Sequence, residues 1–251
     1  MYDLIASAKK LNRVMKADNK AGHQWRYYNN KRSENTFQKT RAAGKYFTNC
    51  MGGVVFVCKD AGIPGAALDW YGNKGKITWS NANAKKNAEK YFDILNVKWT
   101  LKQAIKYGLV QPGDILTYSA MTHTNMYLGD NKSFDSGHAY CTGSGEGAPF
   151  TKWIGALVYS GKKIAYVFRQ KSNCVYRVQV GAYNKLENAQ ERLLDVTVES
   201  GFTCFIEQTD MFRVYCGAFE RPQNAVDRIK DLVNADITKC FITTKCFATI
   251  K

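Results

Sequence analysis

The sequence predicts an α+β protein of two unequal domains, the second carrying a four-stranded antiparallel sheet in βαββαβ order. Three observations lead there. The chain has 251 residues, more than a single domain usually holds. Between residues 44 and 138 an apolar helical run is followed by three short strand-like runs. After residue 175 a segment repeats itself at an offset of 36 residues.

Charge divides the chain at the same place. Of the net charge of +15, residues 1 to 170 hold 25 basic and 11 acidic side chains, while residues 171 to 251 hold 11 and 10. The front part therefore favours polyanions such as nucleic acid, teichoic acid or an acidic wall. With 45% hydrophobic and 13% aromatic residues the composition is that of a folded chain, and no apolar run is long enough to cross a bilayer. No membrane insertion is expected.

The elements follow in order. Leu4, Ile5, Ala8, Leu11 and Met15 recur at helical spacing with lysines between them, which predicts an amphipathic helix rather than a secretion signal. The run from Gly44 through Cys50 and Cys58 to Gly62 starts as a loop and becomes an apolar helix, with Gly52 and Gly53 suited to tight packing under a site. Residues 65 to 100, rich in lysine and asparagine, read as a helical elaboration at the rim of a cleft. Pro112-Gly113-Asp114 opens the first of three strands, His123 to Leu128 makes the second, and Lys132 to Ser136 the third, with Gly129-Asp130-Asn131 as a turn. Tyr166-Val-Phe-Arg closes the front domain, giving domains at 1–168 and 174–251.

The eight cysteines contain no CxxC pair, and Cys204, Cys216 and Cys240 fall in strand-like runs, so all are expected to be reduced and mostly buried. The three histidines, His23, His123 and His138, are remote from any ligand pair. Neither a metal nor a cofactor is expected.

Chemistry concentrates at two places. Cys50 lies at a helix N-terminus, where unpaired N–H groups and the positive end of the dipole suit an anionic sulfur. His123 begins a strand, and the turn decides its neighbour: a three-residue loop brings Asp135 to its face, a two-residue loop His138. Nucleophile, base and orienter are the parts of a thiol hydrolase. The Thr48-Asn49-Cys50 helix start, the Pro112-Gly113-Asp114 strand start and His123-Thr-Asn-Met-Tyr-Leu-Gly-Asp130 resemble the papain-like fold of NlpC-type cell-wall peptidases, and more weakly the CHAP amidases, over residues 20 to 160. The resemblance implies Asp135 as the third residue. It also implies a tyrosine upstream of the cysteine beside the oxyanion, Tyr27 or Tyr28, with Tyr28 taken as the site residue. Relatives carry Asp-Cys-Ser-Gly where this chain has Asn49-Cys50-Met51-Gly52.

In the back domain, Tyr176-Arg-Val-Gln-Val-Gly-Ala-Tyr183 returns as Phe212-Arg-Val-Tyr-Cys-Gly-Ala-Phe219, and Asn188, Ala189 and Arg192 return as Asn224, Ala225 and Arg228. Each repeat reads strand, helix, strand. Alternation sends Val178, Val180, Val214 and Cys216 to the helices, and Arg177, Gln179, Arg213 and Tyr215 to an open face suited to a sugar chain or a base. The segment resembles a SPOR domain, which implies a ferredoxin-like arrangement and binding to glycan strands through that face.

The resemblances together imply a peptidoglycan hydrolase that cuts a stem-peptide amide, or an N-acetylmuramoyl-L-alanine amidase of the same fold, with peptidoglycan as its partner. The start of the chain suits a phage endolysin, made in the host cytoplasm and acting at the wall after release. A non-catalytic glycan-binding or nucleic-acid-binding protein is the alternative. Against nucleic acid stand the back domain's small net charge and its lack of adjacent stacking aromatics, so no nucleic acid is expected as partner.

Overall fold

A computed structural model describes residues 2–28, 36–68, 70–73, 76–79, 83–118 and 123–246. The chain forms two compact units, Met1–Leu101 with Gln111–Lys171, and Lys102–Val110 with Ser172–Lys251.

The first unit opens with α1 (Leu4–Lys20), capped by Asp3, whose carboxylate accepts from the Ala6 N–H at 2.7 Å. Its buried stripe is Leu4, Ala8, Leu11 and Met15, the spacing of one helix face. Strand β1 (Arg26–Tyr27), helix α2 (Phe37–Ala42) and strand β2 (Phe47–Thr48) follow; β1 and β2 pair in parallel. Next come α3 (Cys50–Asp60), the hairpin β3 (Trp70–Asn73) and β4 (Lys76–Trp79), the short α4 (Ala84–Ala88) and β5 (Phe92–Asn96); α5 (Leu101–Lys106), which follows in the chain, belongs from Lys102 onward to the second unit. The sheet is completed by β6 (Ile115–Tyr118), β7 (Thr124–Gly129), β8 (Lys132–Phe134), β9 (Ile154–Ala156) and β10 (Ile164–Gln170). Its order is β5-β10-β6-β7-β8-β9, antiparallel throughout. Trp25, Phe37, Phe56, Phe150 and Trp153 fill the core, and Asp18 anchors it by accepting from the Trp25 indole and from Arg41.

Two expectations change here. The 65–100 stretch is not a continuous helical elaboration: its described residues hold a 3₁₀ turn (Gly65–Leu68), a hairpin, a short α-helix and an edge strand of the main sheet. Asparagine and Gly72 disfavour continuous helix and favour turns; residues 69, 74, 75 and 80–82 of the stretch lie outside the described residues. The β7–β8 turn has two residues, not three. Asp130 and Asn131 both take positive φ, 47° and 53°, as a type I′ turn requires, and Gly129 pairs with Lys132. A register shift between Tyr127 and Gly129 then moves the pairing by one residue, so that Tyr127 faces Ser133 and Met126 faces Phe134. Turn and bulge together restore the register in which Asp135, not His138, joins the face of His123.

The Pro-Gly-Asp strand start has its own anchor. Asp114 accepts from the Gln111 N–H at 2.8 Å and from Arg169 at 2.6 and 3.1 Å, and both charged groups are buried.

The second unit contains β11 (Cys174–Tyr183), α6 (Leu186–Ser200), β12 (Phe205–Gln208), β13 (Phe212–Phe219), α7 (Pro222–Asn234) and β14 (Phe241–Cys246). Its sheet runs β12-β13-β11-β14, antiparallel, with α6 and α7 packed on β11 and β13. Lys102–Val110 belongs to this unit because Gly108, at φ +66°, lets the chain approach β14: a Cβ there would sit 2.7 Å from the Ile242 carbonyl, and the Ile242 N–H donates to Tyr107.

The repeat is kept in three dimensions. Arg192 of α6 donates to the Val180 carbonyl, and Arg228 of α7 to the Cys216 carbonyl, each at 3.3 Å and across the same twelve-residue interval. Gly181 and Gly217 each leave room for the aromatic two residues on; a Cβ would lie 2.5 Å from the Tyr183 ring and 2.5 Å from the Phe219 ring. The Gly-Ala-aromatic motif is therefore a folding device in both halves.

The cysteines are not all reduced. Cys174 and Cys246, directly paired on β11 and β14, form a disulfide. The sequence spacing of 72 residues conceals a pairing that only the sheet creates. Cys204 and Cys240 precede β12 and β14 rather than lying within them.

Candidate functional site

Cys50 is the first residue of α3, and Asn49 caps the helix by accepting from the Gly52 N–H at 2.8 Å. Gly53 sets how closely this helix packs. A Cβ there would fall 1.9 Å from the Ser136 hydroxyl, which itself donates to the Asn49 carbonyl at 2.8 Å. The end of the β8 segment is thus drawn against the start of α3. Cys58, deeper in the helix, is a core thiol, and burial pushes it up to about 12.

His123 is buried, and its Nε2 donates to Oδ2 of the fully buried Asp135 at 2.8 Å. Asp135 is held by the Gly137 N–H at 2.6 Å, and Asn125 reaches the same carboxylate at 3.5 Å. Gly137 must lack a side chain, since a Cβ would lie 2.7 Å from His123 Cε1 and 2.9 Å from Asp135 Oδ1. Cys50 is the imidazole's other polar neighbour. Burial works against a charge on His123, but the hydrogen bonds to Asp135 and Cys50 and their negative charge outweigh it and raise the imidazole to about 10. The arrangement brings a thiol, an imidazole and a carboxylate together.

The remaining candidates separate. Tyr28 follows β1, and its N–H donates to Thr48, two residues before Cys50; its ring lies beside Phe47, at 5.8 Å, and Gly147. His138 lies tilted against Tyr27, with centroids 3.8 Å apart, and its buried Nδ1 has no hydrogen-bond partner among the described residues. Sequence reasoning missed Tyr159. Its ring packs 4.6 Å from that of His123, its backbone takes φ 64°, and burial pushes its hydroxyl up to about 12. A loop tyrosine carries no periodic signal, so nothing local announces it.

In the second unit, strand register places Phe205, Glu207, Arg213, Tyr215, Arg177, Gln179, Phe241, Thr243 and Lys245 on one face. The polar and aromatic set is on this face as expected, but it is less open than expected. Gln179 and Tyr215 are only 7% and 5% exposed. Arg177 pairs with Glu207 and lies over the Tyr215 ring at 5.2 Å, Phe205 stacks on Tyr215 at 5.4 Å, and Lys245 reaches Glu207 at 2.9 Å. Lys245 and Arg177 hold the Glu207 carboxyl below its usual range. Arg213 turns instead to Asp210 and Thr209. Glu207, Phe205 and Lys245 were missed, although the alternation that selects Arg213 and Tyr215 selects them too once the pairing is known.

Among the described residues no cluster of histidine, cysteine and carboxylate side chains could hold a metal ion, and no helix is long and apolar enough to cross a membrane. No curated protein and no solved structure matches the chain. A SPOR domain is found at residues 172–244, spanning both repeats, and it implies peptidoglycan binding.

Proposed function

We propose that the protein is a peptidoglycan hydrolase in which Cys50, His123 and Asp135 cut an amide of the stem peptide while the SPOR region holds the glycan strand. An imidazole bound to a buried carboxylate and neighboured by a helix-terminal thiol carries this reading, and Gly53 and Gly137 permit the close packing around it. The papain-like arrangement of NlpC-type enzymes accommodates the same parts, and an endolysin would meet this substrate at the bacterial wall.

Cys50 gives its proton to His123 and attacks the amide carbonyl. The tetrahedral oxyanion forms beside the start of α3, where the positive end of the helix dipole favours negative charge. Asp135 keeps His123 oriented and charged until it protonates the leaving amine. Water, activated by the now neutral imidazole, then releases the acyl group and regenerates the thiol. The same steps serve the bond between muramic acid and L-alanine.

Purified peptidoglycan digested by wild type and by Cys50→Ala tests the proposal, with soluble products identified by mass spectrometry. Muropeptides released by wild type alone support it and name the bond. Equal absence of release from several wall types, with binding retained, overturns the hydrolase and leaves a glycan-binding protein.

A further inference from the structure

Cys204 and Cys216 meet across the β12–β13 hairpin. The pair Phe205 and Tyr215, continued by one residue, sets Cys204 opposite Cys216. Directly opposite residues on antiparallel strands have Cβ atoms roughly 4.5–5.5 Å apart, so closure to the ~3.5–4.5 Å of a disulfide needs only a small movement. The same sheet already accepts such a bridge at Cys174 and Cys246. Cys216 is fully buried, whereas Cys204 is partly exposed and reachable.

A cation stands at the pair. Nη1 of Arg228 lies 3.7 Å from Cys216 Sγ and donates to the Cys216 carbonyl at 3.3 Å, while its guanidinium is held over the Phe202 ring at 3.7 Å. Cys204 Sγ is 3.7 Å from the Phe202 carbonyl. The neighbouring Cys204 thiol and Arg228 bring Cys216 down to about 7 against the effect of burial, and the same coupling raises Cys204. The position of one proton between the two sulfurs therefore decides which of them is the nucleophile.

We propose that Cys204 and Cys216 form a thiol–disulfide exchange site that is reversibly closed by low-molecular-weight disulfides. Cys204 passes its proton to the Cys216 sulfur as it attacks the small disulfide, forming a mixed disulfide and expelling one small thiolate. Cys216 then loses its proton and attacks the Cys204 sulfur, expelling the second. Two protein thiols are oxidised to one disulfide, one small disulfide is reduced to two thiols, and the two thiol protons end on those products. Excess small thiol runs the steps backwards. Closure ties edge strand β12 to β13 one residue from the Phe205–Tyr215 stack.

The full chain equilibrated near neutral pH in buffers of oxidised and reduced glutathione, acid-quenched, alkylated and mapped by mass spectrometry, tests this. A Cys204–Cys216 linked peptide is expected to appear in oxidising buffer and vanish in reducing buffer, with Cys174–Cys246 retained. Cys216→Ala is expected to trap a mixed disulfide of Cys204 with glutathione. Recovery of both cysteines alkylated in the most oxidising buffer overturns the proposal, as does linkage of Cys204 to Cys240 instead. The mapping uses wild-type protein, so the outcome does not depend on a variant folding.

Discussion

His123 sits where burial should discourage its charge, and Asp135 and Cys50 reverse that. Its folded value, raised from 6.5 to about 10, means that the protonated ring stabilises the fold fully below pH 6.5 and that this contribution is lost as pH rises through about 10. Asp135→Asn removes the main partner, so the histidine titration followed by NMR is expected to move to lower pH. Turnover on peptidoglycan is expected to fall roughly 10²- to 10⁴-fold with it, the usual worth of a positioned acid–base group. An unmoved titration would show that Asp135 does not support the charge. Gly53 makes a complementary residue-scale case. Gly53→Ala sets a methyl 1.9 Å from the Ser136 hydroxyl, where overpacking costs about 1–3 kcal/mol. Denaturant unfolding should report that loss, and Cys50 alkylation should change because α3 is pushed from Ser136.

At the scale of elements, glycine positions show where strand and helix geometry is constrained. Gly201 ends α6 at φ 70° and Gly217 lies in β13 at φ 105°, but a Cβ at Gly201 meets open space while one at Gly217 lies 2.5 Å from the Phe219 ring. Gly201→Ala therefore carries only the backbone penalty, about 1 kcal/mol. Gly217→Ala adds the clash, and its midpoint in denaturant is expected to drop clearly further. Equal losses would mean that Phe219 swings aside. The β7–β8 hairpin is the counterpart in the first unit: a two-residue turn and one register shift jointly aim Asp135 at His123.

For the whole molecule, the two units carry separable tasks in the proposed function. Cys50→Ala is expected to pellet with insoluble peptidoglycan as wild type does while releasing no muropeptides. Paired Arg177→Ala and Tyr215→Ala changes disrupt the stack on the second unit's sheet and are expected to weaken pelleting, with Cys50 alkylation unchanged. Loss of alkylation in the second variant would show that the units are not independent. Cys174→Ser opens a closure of 72 residues and is expected to cost about 2–4 kcal/mol in the unfolding of the second unit, since the open unfolded chain regains entropy.

Much of this was legible because it is local. Helix spacing located α1, the change from loop to apolar run after Gly44 put Cys50 at the start of α3, and the self-similarity of Tyr176–Tyr183 and Phe212–Phe219 forecast two βαβ halves. Alternation along one strand likewise sorted Val178 from Arg177. What lay beyond reach depended on how distant segments close on one another. Whether Asp135 or His138 faces His123 turns on a bulge that shifts register by one residue; Cys174 meets Cys246 only because β14 returns beside β11; and Tyr159 reaches His123 from a loop with no pattern of its own. By itself the sequence determined the regularly spaced helices and strands and the residue types they carry, since those follow from neighbours along the chain. The tertiary structure alone decided which reactive groups touch, because contact across sheet and helix is set by register and packing.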